Sequence, residues 1–88
     1  MSTPYLDTII SPTQKIREFA SDVNPIELKW HRDKEDREIT VLEGGGWFFQ
    51  QDNSLPVALS KGDVIFIPKY TWHRIIKGNH NLKIKIKE

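Results

Sequence analysis

The sequence predicts an all-β fold, a small antiparallel β-barrel or jelly roll preceded by one short N-terminal helix. Three observations carry the prediction. Runs of β-branched and aromatic residues recur at close spacing, as in Ile39-Thr40-Val41, Trp47-Phe48-Phe49, Val64-Ile65-Phe66-Ile67 and Leu82-Lys83-Ile84-Lys85-Ile86. Glycine, proline, asparagine and aspartate punctuate them, at Gly44-Gly45-Gly46, Asp52-Asn53-Ser54 and Lys61-Gly62-Asp63. Only one stretch carries an apolar stripe at helical spacing.

Taken in order, Leu6 to Ile10 is read as a first strand. Ser11-Pro12-Thr13-Gln14 then resembles a helix start, with serine at the cap, proline in the first turn and glutamine three residues past the cap. Ile16, Phe19 and Ala20 fall at i, i+3 and i+4, so a helix of two to three turns is expected, ending at Asn24-Pro25. From Ile26 the period becomes two, with Ile26, Leu28 and Trp30 on one face and Glu27, Lys29, His31 and Asp33 on the other, the pattern of a half-buried strand.

A charged turn over 32–37 leads into Glu38-Ile39-Thr40-Val41-Leu42, a second clear strand. The three glycines that follow permit positive φ or a bulge before Trp47-Phe48-Phe49-Gln50. A short strand over Val57-Ala58-Leu59 precedes the turn at Gly62, and Val64 to Ile67 follows it. Pro68 ends that strand by removing a backbone donor, and a further extended run begins at Thr71-Trp72-His73. The last strand, Leu82 to Lys87, alternates cleanly, with its lysines on a solvated face.

At 88 residues the chain has room for one compact domain, expected to span 1–88, with the N-terminal strand and helix in 1–25 and the barrel in 26–88. Nine aromatic residues are enough for a dense small core, and Trp30, Trp47, Trp72, Phe49 and Phe66 are assigned to it. A formal net charge of +1 builds in no global attraction to nucleic acid or anionic lipid, so neither is expected as a partner. There are no cysteines, so any metal must be held by nitrogen and oxygen. The first residues show no basic region followed by an apolar stretch, and no apolar run reaches the roughly 18 residues of a membrane span, so a soluble cytoplasmic protein is expected.

The segment from Gly62 to His73 resembles the second conserved motif of the cupin superfamily, in which a glycine, a proline, a second glycine and a histidine recur at fixed spacing. The match is at Gly62, Pro68 and His73, and the chain departs at Tyr70, where the family has glycine. The run from His31 to Gly44 or Gly45 is similar to the first motif, two histidines one residue apart followed by a glutamate and a glycine. Together the two cover more than half of the chain, and the whole resembles the short stand-alone cupins of bacterial and phage genomes.

The resemblance implies a site between His31 and His73, far apart in sequence and able to meet only if the sheet folds back on itself. The second histidine of the first motif falls on Asp33. With Gly44 aligned, the motif glutamate falls on Arg37, which has no lone pair to donate. With Gly45 aligned it falls on Glu38. Alternation places Arg37, Ile39 and Val41 on one face and Glu38, Thr40 and Leu42 on the other, which favours Arg37 as the inward residue.

Two chemistries follow. His31, Asp33 and His73, with Glu38 if the register shifts by one, form a set for a divalent metal such as iron, manganese, nickel or zinc, as in a metal-dependent dioxygenase, isomerase or lyase. Alternatively His31, Arg37, Tyr70 and His73 bind a small polar or acidic molecule with no cofactor at all, the guanidinium pairing with a carboxylate or phosphate. The second reading, with a degenerate metal site, is preferred, and no residue is assigned a catalytic role. A small barrel has a thin core, and stand-alone cupins commonly dimerise, so a homodimer is expected. His80, among glycine and asparagines, is read as a surface loop residue.

Overall fold

A computed structural model describes residues 4–88. Eight strands form: β1 (Leu6–Ser11), β2 (Gln14–Phe19), β3 (Arg37–Glu43), β4 (Phe48–Gln51), β5 (Val57–Ala58), β6 (Val64–Ile67), β7 (His73–Ile76) and β8 (Leu82–Lys87). A single 3-10 turn at Pro25–Glu27 is the one helical element among the described residues. All strand pairs are antiparallel. One sheet has the order β1-β2-β8-β3-β6 and the other β5-β4-β7.

Two expectations about the fold are therefore corrected. The N-terminal helix does not form: Ser11-Pro12-Thr13-Gln14 is a hairpin turn, in which Ser11 pairs with Gln14 and the Thr13 N–H donates to the Ser11 hydroxyl at 3.3 Å. A two- to three-turn helix with three apolar residues is marginal by itself. As a strand, β2 gains ladders on both edges, from β1 and from β8, and its alternation turns Lys15, Arg17 and Phe19 toward Ile86, Ile84 and Leu82. Long-range pairing outweighs the local cap signal.

The second correction is that the sheets do not close into a barrel. Among the described residues no ladder joins the edges of one sheet to those of the other. The segment read as a strand over 26–33 instead makes the 3-10 turn and then an irregular run, whose backbone pairing with β7 is an isolated bridge between His31 and His73. With one strand missing, the structure is a pair of facing sheets.

The core lies between them. Phe19, Ile39, Val41, Ile67, Leu82, Ile84 and Ile86 come from the larger sheet, and Trp47, Phe49 and Leu59 from the smaller sheet and its connections. Each such side chain contributes about 1.5–3 kcal/mol by leaving water. Trp47 is fully buried and its indole N–H donates to the His80 carbonyl, so a buried donor is satisfied. Gly78 makes that packing possible, because a Cβ there would lie 2.5 Å from the Gly46 carbonyl carbon and 2.7 Å from the Trp47 ring. Of the five aromatic residues assigned to the core, Trp47 and Phe49 are buried, whereas Trp30, Trp72 and Phe66 are exposed on outer faces.

Candidate metal centre

His31 and His73 meet as direct partners across the isolated antiparallel bridge. Each backbone N–H donates to the other's carbonyl, at 3.0 and 2.9 Å. Directly opposed residues in such a pair send their side chains to the same face. Their rings pack edge to face with centroids 4.3 Å apart. Asp33, two residues past His31, returns to that face, and its carbonyl is held by the Tyr70 N–H at 2.7 Å.

The three residues bring one donor atom each within 4.8 Å of one another. Both rings are oriented from behind: the Nδ1 of His31 bonds the Lys29 carbonyl at 3.1 Å and the Nδ1 of His73 bonds the Thr71 carbonyl at 2.8 Å. A carbonyl only accepts, so Nδ1 carries the proton in each case and a neutral ring presents Nε2 as the lone pair. Burial of the His73 ring pushes its pKa below the ordinary histidine value. The Thr71 carbonyl opposes that shift, His31 reinforces it, Asp33 opposes it and Arg37 reinforces it.

His73 Nε2 therefore faces Asp33 Oδ2 at 3.4 Å with no proton of its own to offer, and Asp33 Oδ2 is buried with no hydrogen-bond partner. Two nitrogen donors and one carboxylate whose Oδ2 is orphaned fit a divalent cation. The cluster is capable of coordinating such a metal, and the donor set does not choose among first-row ions.

Arg37 occupies the inward position of β3 together with Ile39 and Val41, while Glu38 is exposed on the outer face opposite Phe66 and Lys87. Glu38 is not part of the donor cluster. The Arg37 guanidinium lies 3.5 Å from Asp33 Oδ1 and 3.1 Å from Glu88 Oε1, and its Nε is buried without a partner. Glu88 was missed in the sequence, although it shares the parity of Ile84 and Ile86 and so belongs to the inward face of β8 continued by one residue.

Tyr70 lies elsewhere. Its side chain is 56% exposed, does not line the cavity, and faces the Arg32 guanidinium at 6.0 Å. Its φ is 62°, in the left-handed region, which gives a physical reason for glycine at this position of the resembled motif. His80 is exposed, in the loop before β8.

The cluster sits at the polar end of a cavity of about 370 Å³ between the sheets, whose walls include Ile39, Phe49, Ile65, Ile67, Ile84 and Ile86. Such a space suits a small molecule with a polar head and an apolar body.

Two facing antiparallel sheets with this cluster between them define a small cupin-like fold. No protein-family model matches the chain, and no curated protein matches it in sequence. Solved structures do match in fold. The DMSP lyase DddQ from Ruegeria pomeroyi superposes with a TM-score of 0.76 at 12% identity, over 97% of this chain and 47% of that one. A cupin-2 domain protein from Shewanella frigidimarina gives 0.68 at 20% identity, over 100% and 83%. Fe(II)-bearing HppE gives 0.69 at 20% identity, over 96% and 48%. The chain thus spans about half the length of two of these relatives and most of the third. No helix among the described residues is long and apolar enough to cross a membrane.

Proposed function

We propose that the chain binds a divalent metal through His31, Asp33 and His73 and holds a small acidic molecule beside it in the cavity, with Arg37 pairing to the acid group. The observation that carries the reading is the convergence of three donor groups within 4.8 Å of one another, one of which, the Asp33 carboxylate, has a buried oxygen with no hydrogen-bond partner. Arg37 stands where the resembled motif has its glutamate, so the set has three protein ligands and leaves room for a ligand oxygen. A bound divalent metal supplies Lewis-acid chemistry, polarising a carboxylate, carbonyl or phosphoryl oxygen.

The chain's own residues do the rest. Arg37 orients the acid through a planar pair of N–H donors, of which Nε is buried with no hydrogen-bond partner. The isoleucine and phenylalanine walls take the apolar body and exclude water from the polar end. The fold similarity to an iron(II) protein and to a lyase supports this reading without naming the reaction.

The test is calorimetric titration of chelator-stripped protein with iron(II), manganese, nickel and zinc. One metal per chain, lost in His73→Ala, is expected; no binding by the wild type sinks the reading. A homodimer belongs to the same proposal, because Val64 and Phe66 on edge strand β6 are 61% and 58% exposed on one face. Light scattering checks it, and a monomer at micromolar concentration opposes it.

A further inference from the structure

Behind the donor cluster, on the opposite face of the same two chain segments, stand two tryptophans and two arginines that the metal reading does not use. Because His31 and His73 are direct partners in an antiparallel bridge, Trp30 falls opposite Arg74 and Arg32 opposite Trp72. The side chains follow that register. The Arg74 guanidinium carbon lies 4.9 Å from the centre of the Trp30 ring, and that of Arg32 lies 5.2 Å from Trp72. Arg74 Nε also donates to Gln50 Oε1 at 2.9 Å, which fixes the guanidinium over its ring. None of the four residues lines the cavity.

The segment they grip has little else to hold it. Between the 3-10 turn at Pro25–Glu27 and the start of β3, the chain belongs to no strand. Its polar anchors to the rest of the fold, among the described residues, are the two bonds of the bridge, the Tyr70 N–H to Asp33 carbonyl bond, a bond from the Lys69 N–H to Asp36 Oδ1 at 2.8 Å, and the approach of the Arg37 guanidinium to Asp33 Oδ1 at 3.5 Å. A single bridge resists separation but not rotation about the segment's own axis. Rotation would carry His31 and Asp33 away from His73. Two guanidinium–indole pairs on the far face, one on each side of the bridge, oppose it.

We propose that Trp30, Arg32, Trp72 and Arg74 are positioning residues, two crossed arginine–tryptophan pairs that clamp segment 30–33 to residues 72–74 at the start of β7 and thereby set His31 and Asp33 against His73. The inference rests on the reading of those three residues as a divalent metal site. It adds an exposed surface feature to a donor set that runs from exposed His31 to buried His73, and the two are linked through the backbone of the bridged segments.

The test compares the wild type with Trp30→Ala/Arg32→Ala, which removes one member of each pair, and with Trp30→Phe/Arg32→Lys, which keeps a ring and a cation. Each is titrated with cobalt(II) by calorimetry and visible absorption, and amide hydrogen exchange is followed in the metal-free protein. The double alanine variant is expected to bind cobalt about tenfold more weakly, with altered visible bands. The His31 amide should exchange faster while the amides of β3 stay protected. The conservative variant should return to within about threefold of the wild type.

Wild-type affinity and spectrum in the double alanine variant overturn the proposal. Loss of protection throughout both sheets also overturns it, since the residues would then be merely structural. If the wild type itself binds no cobalt, the metal reading fails separately, and exchange alone judges the clamp: selective loss of His31 protection supports it and unchanged protection overturns it.

Discussion

His73 Nε2 and Asp33 Oδ2 face each other across 3.4 Å, and the carboxylate oxygen is buried with no hydrogen-bond partner. The Nδ1 of His73 is already committed to the Thr71 carbonyl, so the neutral ring and the carboxylate meet as two acceptors. A cation relieves that opposition, and so does a donor. Asp33→Asn supplies the donor.

The metal-free Asp33→Asn protein is expected to be within about 1 kcal/mol of the wild type, because the amide can bond His73 Nε2. Its response to metal should vanish. Wild-type protein with zinc at about 100 times Kd gains about 2.7 kcal/mol, which for a chain this short raises Tm by on the order of 10 °C. Thermal melts with and without zinc read both effects, and a retained shift in the variant contradicts the ligand assignment.

Arg37→Met separates the two roles of the polar end. Removing a positive charge 3.5 Å from Asp33 should tighten metal binding, by about threefold to tenfold. Small carboxylates should no longer bind. Asp33 and Glu88 also lose their guanidinium, which is expected to destabilise the metal-free protein by about 1–2 kcal/mol after allowing for solvent screening. Calorimetry with zinc and then with a panel of small carboxylates decides; intact carboxylate binding refutes the role given to Arg37.

Asp7 and Arg17 predict the acid limb of the stability curve. They are cross-strand partners on β1 and β2, joined by two bonds of 2.8 and 2.9 Å, and the Arg17 guanidinium lies over the Tyr5 ring. The hydrogen bond from Arg17 holds the Asp7 carboxyl below its ordinary value, against a partial burial that works the other way. A lowered folded-state pKa gives stability that is present above the unfolded value and is lost as pH falls through the folded one. Asp7 is part-exposed, so Asp7→Asn should cost only about 0.5–1 kcal/mol at neutral pH. That difference should close in urea melts as pH falls from the ordinary carboxylate range through the lowered Asp7 value, and a difference that persists at the acid end argues against the pair.

Tyr70 carries a φ of 62° in the turn closed by the Thr71 N–H to Pro68 carbonyl bond at 3.2 Å. A bulky side chain in the left-handed region is strained by about 1–2 kcal/mol. Tyr70→Gly should therefore stabilise the protein by about 1 kcal/mol, part of the relief being lost to the greater chain entropy of glycine and to the missing contact with Arg32. Chemical denaturation measures it, and a destabilised variant would mean that the Arg32 contact outweighs the strain.

Much of the larger sheet was legible because its strands are specified locally. Ile39-Thr40-Val41 and Leu82-Lys83-Ile84-Lys85-Ile86 alternate over enough residues to identify both strand and face, and the same alternation turned Arg37 inward and Glu38 outward. The spacing of Gly62, Pro68 and His73 marked the turn, strand end and histidine of one half of the site. The N-terminal segment misled because Ser11-Pro12-Thr13-Gln14 satisfies helix-start chemistry over four residues, whereas the ladders that make Gln14–Phe19 a strand come partly from residues near the opposite terminus. Trp30, Trp72 and Phe66 misled for a related reason: aromatic character signals burial on average, but which face of a short segment is covered depends on what packs there.

By itself the sequence determined the all-β character, the strands β3, β6 and β8, and the residue types able to hold a metal or an acid, since these follow from side-chain period and donor chemistry. Only the tertiary structure decided that the sheets face each other without closing, that Gln14–Phe19 is a strand, and that His31 and Asp33 are brought to His73 by an isolated bridge. Pairing energies between segments distant in the chain settle those points, and no local window of residues contains them.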